Sequence, residues 1–120
     1  MAKLLILGAG TAGTMAANLL RKALDATWSI TVVDQDTEHL YQPGFLFIPF
    51  WMEPTRVNKD RRGFLPEGVE FVEAAIRRVD PHAREVHLAD DRTLAYDWLV
   101  IATGTRPDPT LVEGMAEALA

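Results

Sequence analysis

Apolar residues along this chain follow two alternating patterns. Lys3 to Leu7 is a short, almost wholly apolar run that stops at Gly8, as a strand buried on both faces does. From Thr11 to about Leu24, Ala12, Met15, Ala16, Leu19, Leu20 and Ala23 recur at helical spacing. Ser29 to Val33 is a second, β-branched run that ends in acid. This is a β-α-β unit, for which parallel strands and a right-handed crossover are expected. Thr55 to Gly63 is polar and charged and reads as a short helix or loop. Gly68 introduces a third strand, VEFVEAAI. Asp80-Pro81-His82-Ala83 and Asp90-Asp91 mark turns around REVHLAD and TLAYDW, whose alternation predicts a small antiparallel meander. Asp97 reads as a cap or hairpin residue. Leu99 to Ala102 is again fully apolar and stops at Thr103-Gly104, and the tail beyond two prolines begins a short amphipathic helix.

One stretch fits neither pattern. HLYQPGFLFIPFWM, residues 39 to 52, is rich in aromatics, yet Pro43, Gly44 and Pro49 break it. It is too short to cross a membrane, and no run of about 18 apolar residues exists elsewhere. The chain's 120 residues allow one domain. A net charge of -5 argues against nucleic acid, whose binding rests on neutralised phosphates. The absence of cysteine excludes a disulfide framework, a thiolate metal site and a cysteine nucleophile within these residues. With no signal sequence at the N-terminus, the expected location is the cytoplasm.

The chemistry begins at GAGTAG. Gly8, Gly10 and Gly13 form G-x-G-x-x-G after a strand and at the opening of a helix, and Asp34 ends the next strand 21 residues beyond Gly13. Gly8 permits a tight turn, Gly10 leaves room for a pyrophosphate, and Gly13 lets helix and strand approach. The free N–H groups that follow, at Thr11 and Ala12, and the positive end of the helix dipole then hold phosphates. Asp34, followed by Gln35, accepts hydrogen bonds from ribose hydroxyls. Asp36 follows too and no arginine stands beside Asp34, so a 2′-phosphate would meet negative charge and NADP is disfavoured.

The same unit serves NAD and FAD, and YDWLVIATGTRP discriminates between them. A meander leading to a strand that ends Ala102-Thr103-Gly104 resembles the second fingerprint of flavoproteins with two dinucleotide-binding domains. The resemblance spans the chain and implies FAD as cofactor. The fold it implies is α/β: a Rossmann-like parallel sheet with a small antiparallel β-meander, the first half of such a flavoprotein. It further implies an adenine contact at Glu73, Ala74 and Ala75, and Tyr41, Gln42 and Pro43 nearest the flavin ring. His39 would lie close by. Arg106 pairs with either a phosphate or a surface acid.

Within that superfamily no redox Cys-x4-Cys follows the second strand, which excludes the glutathione reductase branch. EHLYQPGFLFIPF instead resembles the corresponding segment of sulfide:quinone oxidoreductases, with type II NADH:quinone oxidoreductases as the alternative. A non-catalytic dinucleotide-binding domain is the reading from outside the enzymes. The sulfide:quinone resemblance implies that sulfide attacks a cysteine disulfide or persulfide and that its electrons pass by way of FAD to a quinone. Residues 1–120 are then expected to be an incomplete FAD-binding domain of a longer enzyme, self-associating in this short form. The longer enzyme would lie in the cytoplasm or peripherally on the cytoplasmic membrane. No metal set is expected: His39, His82 and His87 are scattered, the last two facing solvent. Lys59, Arg61 and Arg62 read as a solvated basic patch for a partner or anionic headgroups.

Overall fold

The structure, a computed structural model, describes residues 1–40 and 42–120, apart from the side chain of Val57. Its centre is a parallel sheet built from β1 (Lys3–Leu7), β2 (Ser29–Asp34), β5 (Val69–Glu73) and β9 (Trp98–Ile101), in the order β5-β2-β1-β9. Helix α1 (Thr11–Ala23) connects β1 to β2. The pleat of β1 explains its unbroken apolar run. Leu4 and Ile6 point to one face, where Ala17 of α1 packs with Ile30 and Val32. Leu5 and Leu7 point to the other, against Val33, Val72, Val86 and Leu88. Ile6, Leu7, Ile30, Val32 and Val33 are fully buried, each contributing roughly 1.5–3 kcal/mol of transfer free energy.

The second face is covered by the meander of β6 (Ile76–Asp80), β7 (Glu85–Leu88) and β8 (Thr93–Ala95), paired antiparallel. Two expected strands are each divided in two. VEFVEAAI breaks at Ala74-Ala75, because Ala74 N–H still donates to Asp34 O at 2.9 Å while Ala75 O already accepts from Ala89. The chain changes sheets between those two bonds. TLAYDW breaks in the same way: Tyr96 N–H donates to Arg84 O in the meander, and Asp97 N–H to Lys3 O of β1. Lys3 N–H returns a 2.7 Å bond to the Asp97 carboxylate, so Asp97 fixes the register of β9 on β1.

Between β2 and β5 the chain forms a flap. β3 (Glu38–Leu40) pairs antiparallel with β4 (Asn58–Asp60), and 3₁₀ turns occupy Gln42–Phe47, Pro54–Val57 and Arg61–Phe64. The Thr55 to Gly63 stretch, expected as helix or loop, is thus two tight turns around a short strand. Phe45, Leu46, Phe50 and Trp51 of this flap are exposed, as are Trp98 and Ile101 on the edge strand β9. The tail forms a 3₁₀ turn at Pro109–Leu111 and a short helix, α2 (Met115–Ala118). No helix among the described residues is long and apolar enough to cross a membrane.

Candidate nucleotide-binding cleft

The carboxyl ends of β1, β2 and β9 meet the start of α1, and there the three glycines do different work. Gly8 has φ +99, and a Cβ on it would stand 2.2 Å from Ala102 O. A Cβ on Gly13 would stand 1.8 Å from Gly8 O. Both are demanded by backbone packed on backbone. Gly10 has φ −73 at the helix start, and a Cβ there would meet nothing within 4 Å. Among the described residues nothing is packed against this position, so glycine there leaves room for a ligand lying against the backbone.

What Gly10 opens onto is a cleft of about 1430 Å³. Thr14 N–H is the first amide of α1 to find a partner within the helix, Gly10 O at 3.0 Å. The amides of Thr11, Ala12 and Gly13 precede it, and no acidic side chain occupies the first turn. That leaves donors and the positive dipole end free for an anion. Thr11 and Ala12 line the cleft, as do Ala102, Thr103, Gly104 and Arg106 after β9 and Gln42 and Pro43 from the flap. Asp34 and Gln35, at the end of β2, complete the wall.

A smaller adjoining cavity of about 220 Å³ is lined by Gly8, Val33, Asp34, Gln35, Ala74, Ile76 and Thr103. Its walls are mostly apolar or small, and it lies beside Asp34. The residues singled out from sequence thus converge on two adjoining spaces, with three exceptions. Gly13 lies behind the wall, under Gly8; Ala75 lines neither space; Tyr41 lies outside the described residues. A dinucleotide suits this donor set: amides and dipole for phosphates, a carboxylate for hydroxyls, and a small slot of mixed polarity beside Val33, Ala74 and Ile76 for a base.

Sequence reasoning missed Arg61. Its side chain is only 16% exposed and its guanidinium bonds the Asp34 carboxylate, Asp36 at 3.2 Å and the backbone oxygen of Glu38. Asp34 Oδ2 also accepts from Ala9 N–H at 2.7 Å. An arginine does therefore stand beside Asp34, and the solvated basic patch is divided. Lys59 is exposed, Arg62 pairs with Glu73 at 3.2 Å and lies over the Phe71 ring, and Arg61 lines the cleft. The one hint in the sequence is complementary charge, acids at 34, 36 and 38 against Lys59, Arg61 and Arg62. His39 also lines the cleft, with its ring edge-on to Phe64 at 5.3 Å. His82 is exposed, whereas His87 is half-buried, 3.2 Å from Thr93 Oγ1 and 3.8 Å from Glu85.

A parallel sheet in this order, with a glycine turn opening a helix at its carboxyl edge, defines a Rossmann-like α/β domain. The sequence matches the pyridine nucleotide-disulphide oxidoreductase family over residues 2–120, and the chain belongs to that family of oxidoreductases. It is 27% identical over 118 residues to the mitochondrial sulfide:quinone oxidoreductase of Dictyostelium discoideum, a match covering 98% of this chain and 26% of that protein. Among solved structures, the sulfide:quinone oxidoreductase of Aquifex aeolicus superposes with a TM-score of 0.76 at 23% identity, over 88% of this chain and 25% of that one. NDH2 from Plasmodium falciparum, in complex with NADH, superposes with a TM-score of 0.75 at 17% identity, over 97% and 25%. These likenesses at low identity speak for the fold. The chain spans about a quarter of the length of the curated relatives it matches.

Proposed function

We propose that residues 1–120 form an FAD-binding unit of a longer oxidoreductase of the sulfide:quinone type. The observation that carries the dinucleotide reading is Gly10: among the described residues nothing would meet a side chain there, and its absence opens the helix start to the cleft. The amides of Thr11 and Ala12 would hold the pyrophosphate, and Asp34 would accept from the adenosine ribose. The slot walled by Ala74, Ile76 and Val33 would take adenine, with the Ala75 backbone beside it. Ala102, Thr103 and Gly104 would let the cofactor lie against the end of β9, with Arg106 near its phosphates. Tyr41, Gln42 and Pro43 would stand nearest the flavin.

When bound, FAD would supply a two-electron carrier between donor and acceptor. The match to sulfide:quinone oxidoreductases over almost the whole chain favours sulfide as donor and quinone as acceptor. The parent enzyme would work in the cytoplasm, peripherally at the membrane where quinone is reached. The exposed apolar side chains of the flap and of β9 favour self-association of this chain.

Purified protein should be yellow, or should take up FAD in an absorbance titration, and Gly10→Val should abolish that uptake while leaving the circular dichroism spectrum intact. Selective NAD(H) binding without flavin affinity would sink the FAD reading, and unchanged affinity in Gly10→Val would sink the phosphate site. In the parent enzyme, flavin reduction by sulfide rather than NADH separates the sulfide:quinone type from the NADH:quinone type.

A further inference from the structure

The adenosine end of the cleft is acid-lined: Asp34, Asp36, Glu38 and Glu73 all border it, and a dinucleotide would bring further negative charge. Arg61 is the guanidinium set among them. It is held from both sides, its own N–H donating to Thr37 O at 2.7 Å and its side chain to the Glu38 oxygen. Its remaining nitrogens bond Asp34 Oδ2 and, at 3.2 Å, Asp36. Each guanidinium nitrogen therefore has a fixed acceptor, a geometry that a planar fork holds rigidly. On Asp34, Oδ2 is taken by Arg61 and by Ala9 N–H. Among the described residues Oδ1 has one partner, the Asp36 amide at 3.3 Å, and keeps acceptor capacity for a hydroxyl.

We propose that Arg61 is a positioning residue for nucleotide recognition, one that clamps Asp34 so that its second oxygen is presented to the ribose hydroxyls of the bound nucleotide. This rests on the dinucleotide reading above and deepens it. The clamp links the tip of β2 to the turn after β4, so the flap that walls the cleft and the acid that reads the ribose are set by one side chain. Because Arg61 acts through Asp34, its contribution depends on a ligand hydroxyl being there to receive.

The test is calorimetric titration of the protein with ADP and with 2′,3′-dideoxy-ADP. In Arg61→Gln, ADP should bind about tenfold more weakly, the effect of one charge-assisted hydrogen bond, while dideoxy-ADP affinity stays as in the wild type. Asp34→Asn should weaken ADP as well, and the double variant should bind it no worse than Asp34→Asn alone, since the two act as one unit. Arg61→Lys keeps the charge near the flap but loses the fork. It should show the same selective loss at about threefold, and covers the case in which Arg61→Gln does not fold. Equal weakening of both ligands, additive losses in the double variant, or full ADP affinity in Arg61→Gln would each overturn the proposal and leave the cleft assignment standing. Failure of the folded wild type to bind ADP would instead overturn the cleft assignment and this inference together.

Discussion

Two regions line the same cleft and are held by different physics. On one side, Gly8, Gly13 and Ala102 bring backbone against backbone at distances that admit no side chain. On the other, the flap from Glu38 to Phe64 has a two-strand ladder, short turns and the ion pairs of Arg61. The first region is fixed by excluded volume, which nothing nearby can relieve. The second is fixed by polar contacts, chief among them the largely buried Arg61–Asp34 pair, while its large apolar side chains face outward. Rigidity thus falls where phosphates would lie, and adjustability where the rest of a larger ligand or protein would be met.

The sharpest way to break this comparison is at the glycines. Gly13→Val should cost about 3 kcal/mol or more, or prevent folding, because its Cβ would stand 1.8 Å from the Gly8 oxygen with only backbone to yield. Gly10→Ala should stay within about 0.5 kcal/mol of the wild type, the ordinary range for a position with open space around it. Denaturant unfolding of the two variants measures the difference directly. Equal costs would mean that the glycines share one role and that position 10 is not kept open for a ligand.

A smaller effect is expected in the flap. Phe50 and Trp51 are 79% and 64% exposed, so changing both to serine should move stability by no more than about 1 kcal/mol. The same double variant should shift light scattering toward monomer, because the apolar surface that favours association is reduced. A wild type that is monomeric at every concentration would remove the expected self-association.

The smallest effect concerns the meander, a third region held by polar turns. Backbone amides of Ala83 and His82 donate to the Asp80 carboxylate and, with Arg78 nearby, hold it below its ordinary value of 3.8. A carboxyl lowered in the folded state stabilises fully above that value and loses its contribution as pH falls through the lower, folded one. Amide protection factors in the 80–83 turn, taken against intrinsic exchange at each pH, should therefore fall below about pH 3.8, and Asp80→Asn should remove that acid-dependent part. An Asp80→Asn protein with the same acid profile would assign the profile elsewhere.

The elements legible in the sequence are those whose physics is local. β1 and α1 are read directly because burial on both faces of a strand and on one stripe of a helix leaves a periodic trace. The glycine spacing is read because its contacts lie within a strand-turn-helix unit. The Ala102-Thr103-Gly104 strand end is legible only through family resemblance, and its backbone packs on Gly8, so the residue whose small size this contact demands is Gly8. Strand ends were less legible. Val69 to Ile76 keeps strand-forming residues across Ala74-Ala75, and only the competing partners Asp34 and Ala89 decide where one sheet ends and the next begins.

What the sequence determined by itself, then, is the β-α-β start, the glycine turn and the acid after the second strand, since each follows from spacing within a few turns of chain. What only the tertiary structure decided is which charges meet. Arg61 lies 27 residues from Asp34 and reads as a solvated cation in any local window. The pairing of β3 with β4 brings it onto the carboxylate, because ionic contacts depend on distance in space, which the order of residues does not record.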